Sequence, residues 1–471
     1  MTHGSSIATK TTLAHQLAEY AHSLRYEDIP APVVQEVKRR IIDSLGCAMG
    51  AIDSEPATIA RRVSKWVDSN KGGATVIGTK HQTSPDLAAF ANGILFRYLD
   101  FNDTYLSKEP AHPSDNIAAV LAAAESVKAN GKDVITAIVL AYEIQCRLCD
   151  AASIRSRGWD HVTYGSFSTA LACGKLFGLS VDQLVHAQGL AATPNNAMRQ
   201  TRVGELSHWK GCAFANASRN GLFAALLARE GMTGPSEIFE GEMGFYKQIS
   251  GEFQLAPLGG KNGQAFMFLN TYVKHFPAEY HSQSAIEAAL ELRPQIKSPD
   301  SIQSIHIDSF DAAVDIIAGF AEHWRPKSRE TADHSMPYVV SAALVDGDIT
   351  LESFTDERIR DPKLLEVVQK VAVSRHPEMN AGYPDGIPNR LTITLTDGTV
   401  LSKTISYPLG HCKNPMNDAQ IEAKFRPLAA RVFDERKIQQ QLDALWKFEE
   451  TTSVSSILAL FDRGNGRAHG Q

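Results

Sequence analysis

The stretch Tyr98-Leu-Asp-Phe-Asn-Asp-Thr-Tyr-Leu-Ser-Lys-Glu-Pro-Ala-His-Pro-Ser-Asp115 gathers Asp100, Asp103, Thr104 and His112 into one loop between two helical segments. His112 stands just ahead of Pro113, whose ring restrains the backbone. Such a loop can present a proton-transfer imidazole and a carboxylate at the mouth of a helical bundle. The same residues also suit a plainer part, with Asp100, Asp103 and Ser114 as helix caps and His112 on the surface. Three more polar groups stand among apolar neighbours: His161 in Gly158-Trp-Asp-His-Val-Thr-Tyr-Gly165, Lys210 in Ser207-His-Trp-Lys-Gly-Cys-Ala-Phe214, and Lys274 in Thr271-Tyr-Val-Lys-His-Phe-Pro-Ala-Glu-Tyr-His281. A lysine so surrounded either snorkels to water or is held in a cleft where an anion neutralises it. Two such lysines with two histidines point to a site for a small, multiply charged anion. One cation at ~4 Å contributes on the order of 4 kcal/mol there, at an effective dielectric of about 20.

Cys146-Arg-Leu-Cys149 raises a different chemistry, because a Cys-x-x-Cys pair with a distant third cysteine can hold an iron–sulfur cluster. Here the pair lies within an apolar helical segment and has no second pair to match it, so buried thiols are the expectation. Six cysteines in 471 residues are too sparse for a disulfide framework. The chain lacks a Walker motif, a dinucleotide-binding Gly-x-Gly-x-x-Gly, a His-Glu-x-x-His and a Gly-x-Ser-x-Gly, so no nucleotide or metal cofactor is expected.

The elements that position these residues read as a helical bundle followed by a mixed unit. From Pro85 to Asp100, Leu87, Phe90, Ala91, Ile94, Leu95 and Tyr98 recur on one helical face. Ser114 or Asp115 is expected to cap a helix over 116–129 that stops at Asn130-Gly131, and Asp133 to cap the next, from about Val134 to Ala151. Residues 169–177 and 181–190 read as a helical hairpin. After Gly251 the texture changes. Alternation near Ser301 to Ser309, and Leu391 to Leu395 turning at Asp397-Gly398 into Val400 to Ile405, predict strands and a hairpin, with helices at 284–292 and 362–371 between them. Helical pattern returns from about Asp418 to Phe461, and Gly464 to Gln471 reads as a frayed tail. The expected fold is mainly α: a large helical domain from residues 1–268 and 410–471, with a smaller α+β lid domain at 269–409.

Composition narrows the function class. With 47 Lys+Arg against 53 Asp+Glu the formal net charge is −6, which argues against nucleic-acid partners. At 43% hydrophobic and 21% charged, the chain is an ordinary globular one with no bias toward disorder. No apolar run approaches the roughly 18 to 20 residues of a bilayer span. The first residues lack an apolar leader, so a cytoplasmic, membrane-free protein is expected, with an organellar matrix left open by the Ser/Thr-rich N-terminus.

Taken in order, the 98–105 loop with Pro110-Ala-His-Pro-Ser-Asp115, Arg157-Gly-Trp-Asp-His161, His208-Trp-Lys-Gly211, Lys274-His-Phe-Pro-Ala-Glu279 and His334-Ser-Met-Pro-Tyr338 resemble the motifs of the MmgE/PrpD family over roughly residues 10 to 460. That family includes 2-methylcitrate dehydratase, cis-aconitate decarboxylase and an iminodisuccinate epimerase, and the wording of the 98–105 loop is most similar to the dehydratases of the MmgE branch. One more residue separates Thr104 from His112 than in the decarboxylase branch, which weighs against that activity. The resemblance implies a helical domain built from both chain ends with an α+β lid, a homodimer, and no metal or cluster. It carries the family's active-site positions onto Asp100, Thr104, His112, His161, Lys210, Lys274 and Tyr338.

On this reading the protein is a hydro-lyase that converts 2-methylcitrate to 2-methyl-cis-aconitate, with citrate as a side substrate. Removing a weakly acidic proton and expelling hydroxide from a trianion demands cations, a base and an acid. Lys210 and Lys274 are expected to clamp carboxylates, His112 to move the proton at carbon, and His161 or Tyr338 to protonate the leaving hydroxyl. Asp100 and Thr104 would orient His112 or bind a substrate oxygen, and Asp103 is counted among the substrate-binding groups. Decarboxylation and epimerisation are the alternatives that the same residue types allow.

Overall fold

The computed structural model describes residues 11–69, 71–204, 206–261 and 263–464, so the N-terminal stretch read for a leader and the tail beyond Gly464 lie outside the described residues. Two compact units divide the chain. The first comprises residues 1–98, 107–270 and 422–471, and the second 99–106 and 271–421. The structure is mainly α.

In the first unit the helices are α1 (Leu13–Ser23), α2 (Ala31–Gly50), α3 (Glu55–Ser64), α4 (Pro85–Arg97), α5 (Ile117–Ser126), α6 (Gly131–Ala151), α7 (Thr163–Leu176), α8 (Val181–Ala192) and α9 (Trp209–Arg229). Strands β1 (Ala74–Thr75) and β2 (Gln82–Thr83) form a short antiparallel ribbon, and Glu435–Trp446 adds a helix near the C-terminus. Helices α5 and α7 are apolar or small on every face, and Ile117 to Glu125 and Thr163 to Gly174 are buried without interruption. They are therefore the centre of the unit: α7 packs on α6, α8 and α9, and α4 on α5 and α9. Small residues allow the close approach. A Cβ on Gly221 would sit 2.9 Å from the Ser166 carbonyl oxygen and from Thr169 Cβ, so α9 rides directly on the backbone of α7.

Two local expectations are corrected. Helix α5 ends at Ser126, after which Lys128 takes a left-handed φ of 57°. Asn130 and Gly131, read as a stop, instead start α6, because the Asn130 side chain accepts from the Asp133 N–H. Gly131 is required by space, since a Cβ there would lie 1.8 Å from the Phe448 carbonyl oxygen. Neither Ser114 nor Asp115 caps a helix; Pro113–Asn116 is one tight 3-10 turn that runs straight into α5.

The second unit is built on a four-stranded sheet of β3 (Ile302–Ser309), β4 (Val371–Arg375), β5 (Asn389–Leu395) and β6 (Val400–Ile405), in the order β4-β3-β5-β6. Strand β3 runs parallel to β4 and antiparallel to β5, with Ile305 opposite Ile393 and Ile307 opposite Leu391. The β5–β6 hairpin turns where the sequence predicts, with Gly398 at φ 86° and the Asp397 carboxylate accepting from the Thr399 N–H. Helix α10 (Gln283–Leu292) covers β5 and β6, and a further helix, Met336–Asp346, packs on α10. Ile286, Ile305, Ile307, Leu391, Ile393 and Val340 are among the fully sealed residues of this core. Among the described residues no helix is long and apolar enough to cross a membrane.

Candidate functional site

The candidate residues fall into two clusters, one in each unit. In the first, α4 delivers Arg97 at its last turn and the 113–116 turn delivers His112. Arg97 Nη2 donates to His112 Nε2 at 3.0 Å, and Arg97 Nε lies 3.8 Å from Asp115 Oδ2, with both of those side chains buried. Guanidinium has only donors, so the ring nitrogen it meets must accept, and the His112 hydrogen sits on Nδ1.

His161 lies beside His112, ring centroids 5.9 Å apart and meeting edge to face. It is 5% exposed, and its Nδ1 is 3.0 Å from Asp160 Oδ1. Burial pushes its pKa down to about 3; Asp160 opposes the shift, while Arg202, Arg97 and Arg199 add to it. Burial therefore favours the neutral ring, and its buried Nε2 finds no hydrogen-bond partner among the described residues. Asp160 is itself fully buried. Burial alone would raise its pKa, but Arg202, whose Nε lies 2.9 Å from Oδ2, and His161 hold it below the ordinary carboxylate value. The local chain is fixed by backbone pairing: Asp160 N–H donates to the Ala197 carbonyl at 2.8 Å and Arg199 N–H to the Gly158 carbonyl at 2.9 Å. Lys210 occupies the first turn of α9, 7% exposed, and α9 packs on both the 113–116 turn and the 199–202 turn.

In the second unit the segment 99–106 is held by a two-way backbone pair between Thr104 and Tyr272, each N–H donating at 2.8 Å. Asp100 takes a left-handed φ of 51° and receives Lys274 Nζ at both its carbonyl oxygen, 2.7 Å, and Oδ1, 2.8 Å. Lys274 is 1% exposed, so it neither snorkels nor stands alone. His334 continues the chain of charge, its Nε2 3.5 Å from Asp100 Oδ2 and its Nδ1 2.5 Å from Asp333 Oδ1. Close by in this network, Glu279 accepts from the His281 backbone N–H and lies 2.7 Å from His281 Nδ1. Burial would raise the Glu279 pKa, yet His281 above all, then His334 and Lys274, bring it down to about 2. Asp103 and Thr104 are buried in the same segment as Asp100.

Tyr338 is committed to the core of the second unit. Its hydroxyl donates to the Ser353 carbonyl at 2.5 Å within the apolar core of the second unit, and burial raises its pKa. The hydroxyl bonds to none of the other candidates. Cys146 and Cys149 are buried along α6, and burial holds the Cys149 thiol protonated rather than as the thiolate a cluster needs. Among the described residues no group of three His, Cys, Asp or Glu is arranged to hold a metal ion.

Arg97, Arg199, Arg202, Asp160 and His334 were not foreseen. Asp160 and His334 lie inside quoted motifs, where only a carboxylate beside an imidazole hinted at pairing. The arginines come from segments whose meeting depends on the tertiary fold. Chemically, the first cluster can bind an anion and move a proton, and the second offers a carboxylate held by an ammonium.

The chain matches the MmgE/PrpD N-terminal domain over residues 15–258 and the MmgE/PrpD C-terminal domain over residues 276–448. A Cupriavidus necator protein named 2-methylcitrate dehydratase is 31% identical over 457 residues, covering 89% of this chain and 90% of that protein. A Salmonella typhimurium protein of the same name is 30% identical over 435 residues, 86% of this chain and 87% of its own. A cis-aconitate decarboxylase-like protein of Aspergillus oryzae is 27% identical over 472 residues, 94% of this chain and 96% of its own. The order of the motifs, the two matched domains and the length of these alignments agree: the chain belongs to the MmgE/PrpD family.

Proposed function

We propose that the protein is a hydro-lyase that dehydrates 2-methylcitrate to 2-methyl-cis-aconitate by acid/base elimination, with citrate as a lesser substrate. The observation that carries the reading is the similarity, along most of the chain, to proteins named 2-methylcitrate dehydratase. The first cluster supports it chemically. A tricarboxylate needs cations, and Arg97, Arg199, Arg202 and Lys210 supply them in one unit; the elimination needs proton-transfer groups, and His112 and His161 lie side by side. Lys274 and Asp100 form a pair of small net charge, so Lys274 serves by holding the Asp100 carboxylate and offering N–H donors more than as a bare cation. Asp100, Asp103, Thr104 and Lys274 are assigned to substrate binding. Tyr338 receives no acid role, because its hydroxyl is committed to Ser353. A homodimer is part of the proposal, checked by sedimentation.

Dehydration creates a conjugated double bond, so a panel of 2-methylcitrate, citrate, cis-aconitate and iminodisuccinate, followed by ultraviolet absorbance and proton NMR, tests the reading. Absorbance growing fastest with 2-methylcitrate is expected; a flat trace with that substrate overturns it. Lys210→Ala should lower turnover by roughly 100-fold or more, the scale of losing a transition-state charge partner, while the melting temperature stays put. The relative from Aspergillus oryzae keeps decarboxylation as a second reading, which loss of carbon dioxide from cis-aconitate in the same panel would favour.

A further inference from the structure

We infer that Gln283 is a positioning residue for Lys274: its side-chain amide is the template on which the irregular stretch 275–278 folds, and that stretch holds the Lys274 backbone where its ammonium meets Asp100. The inference deepens the assignment of Lys274 to substrate binding and rests on that reading for its kinetic consequence.

A buried stretch without helix or strand must find partners for its backbone N–H and carbonyl groups, because water is excluded and no ladder supplies them. Residues 275–278 are such a stretch, with Phe276, Pro277 and Ala278 buried and outside every regular element. Gln283 meets that need. Its Oε1 accepts from the backbone N–H of His275 at 3.1 Å and of Phe276 at 3.0 Å, and its Nε2 donates to the carbonyls of Phe276 at 3.0 Å and Ala278 at 3.1 Å. A side-chain amide offers two lone pairs and two hydrogens, so its whole capacity is spent on this one stretch. Both partners of the oxygen are N–H groups and both partners of the nitrogen are carbonyls, which fixes the orientation of the amide.

The template is itself anchored. Gln283 is the first residue of α10, where a side chain leans back over the chain that enters the helix, and it is 1% exposed. Close to it in sequence, the Asn389 amide donates to the His281 carbonyl at 3.0 Å and to Ser284 Oγ at 2.8 Å, while Ser284 Oγ donates to the Ile387 carbonyl at 2.5 Å. Lys274 is thus bracketed: Val273 N–H donates to the Gly410 carbonyl at 2.9 Å on one side, and His275 N–H to Gln283 on the other. From that fixed backbone Lys274 Nζ reaches both the Asp100 carbonyl and Oδ1. A backbone shift of about 1 Å breaks such a two-point contact, and misplacement on that scale spoils a binding site.

The test uses full-length protein, with KM and kcat for 2-methylcitrate read together. Gln283→Met fills the space and makes none of the four bonds; it should raise KM at least about tenfold with kcat changed less than about threefold. A residue that only supports folding lowers the active fraction, which reduces apparent kcat and leaves KM alone. Ile286→Val, which trims the core on the same helix and removes none of these bonds, should behave in that second way. Lys274→Met should raise KM by itself, and adding Gln283→Met to it should raise KM no further, since both act through one ammonium. An unchanged KM in Gln283→Met, or effects that multiply in the double variant, overturns the inference.

Gln283→Glu carries the test should the methionine variant not fold. It keeps the acceptor but sets an oxygen against two carbonyls, and protonation returns one donor. Its KM, divided by that of the unsubstituted protein at the same pH, should therefore fall between about pH 8 and about pH 5.5, and a flat ratio overturns the inference. Amide hydrogen exchange needs no substrate: across 271–279 it should run at least about tenfold faster in either Gln283 variant, while residues 286–292 of α10 keep their protection. Equal protection of 271–279 with and without the substitution also overturns the inference. If the panel selects another acid, the dehydratase reading fails by itself, and the same KM ratio measured with that acid decides the positioning; if no acid turns over, the exchange rates decide it.

Discussion

Asp100 and Lys274 form a buried ion pair, and their pairing begins in the backbone. The left-handed φ of Asp100 is a conformation that an aspartate tolerates better than most residues, and Lys274 Nζ bonds both its carbonyl and its carboxylate. Replacing Asp100 with Ala takes a carboxylate away from a buried ammonium, which should destabilise the protein by about 3 kcal/mol, read as a lowered midpoint in urea melts. His161 makes a prediction of opposite cause. Its pKa falls from 6.5 in the free residue to about 3 on folding, so below about pH 6.5 the unfolded chain binds a proton that the native one refuses. Stability present above pH 6.5 is then lost toward pH 3 at about 1.4 kcal/mol per pH unit from this group. Urea melts across that range should show a slope shallower by this amount in His161→Gln; an unchanged slope would mean the imidazole stays solvated in the native state.

Among the helices, the α7–α9 contact decides how the first cluster is held, because α7 begins just after His161 and α9 opens with Lys210. Gly221 lets the two backbones meet. Gly221→Ala should cost about 1 to 3 kcal/mol through overpacking, and it should lower turnover even though the residue lies far along α9 from Lys210. A melting curve and an ultraviolet assay on the same preparation check both effects. Much of this scaffold was legible. The 3.6-residue pattern in α4 and the two-residue alternation of β5 and β6 report directly which faces are buried. The start of α6 was misread because Asn-Gly is an ordinary stopping signal, and only the approach of Phe448 reveals why Gly131 is there. His112, His161, Lys210 and Lys274 could be picked out as polar groups in apolar settings. Their partners could not: Arg97 reaches His112 across 15 residues and Lys274 reaches Asp100 across 174, separations at which spacing carries no signal.

For the whole molecule, the two matched family domains run 15–258 and 276–448, but the compact units are cut differently, with residues 99–106 belonging to the second unit. Residues 271–421 expressed alone should therefore fail to fold cooperatively, since they keep Lys274 and lack its carboxylate. A single sharp, native-like melting transition for that piece would refute this account. The Thr104–Tyr272 backbone pair has a bearing on breeding new variants by gene recombination. Any crossover placed between residues 107 and 270 draws Asp100 from one parent and Lys274 from the other. Libraries of chimaeras should thus lose most viable offspring where the parents disagree at either end of that bridge, however well each half suits its own lineage.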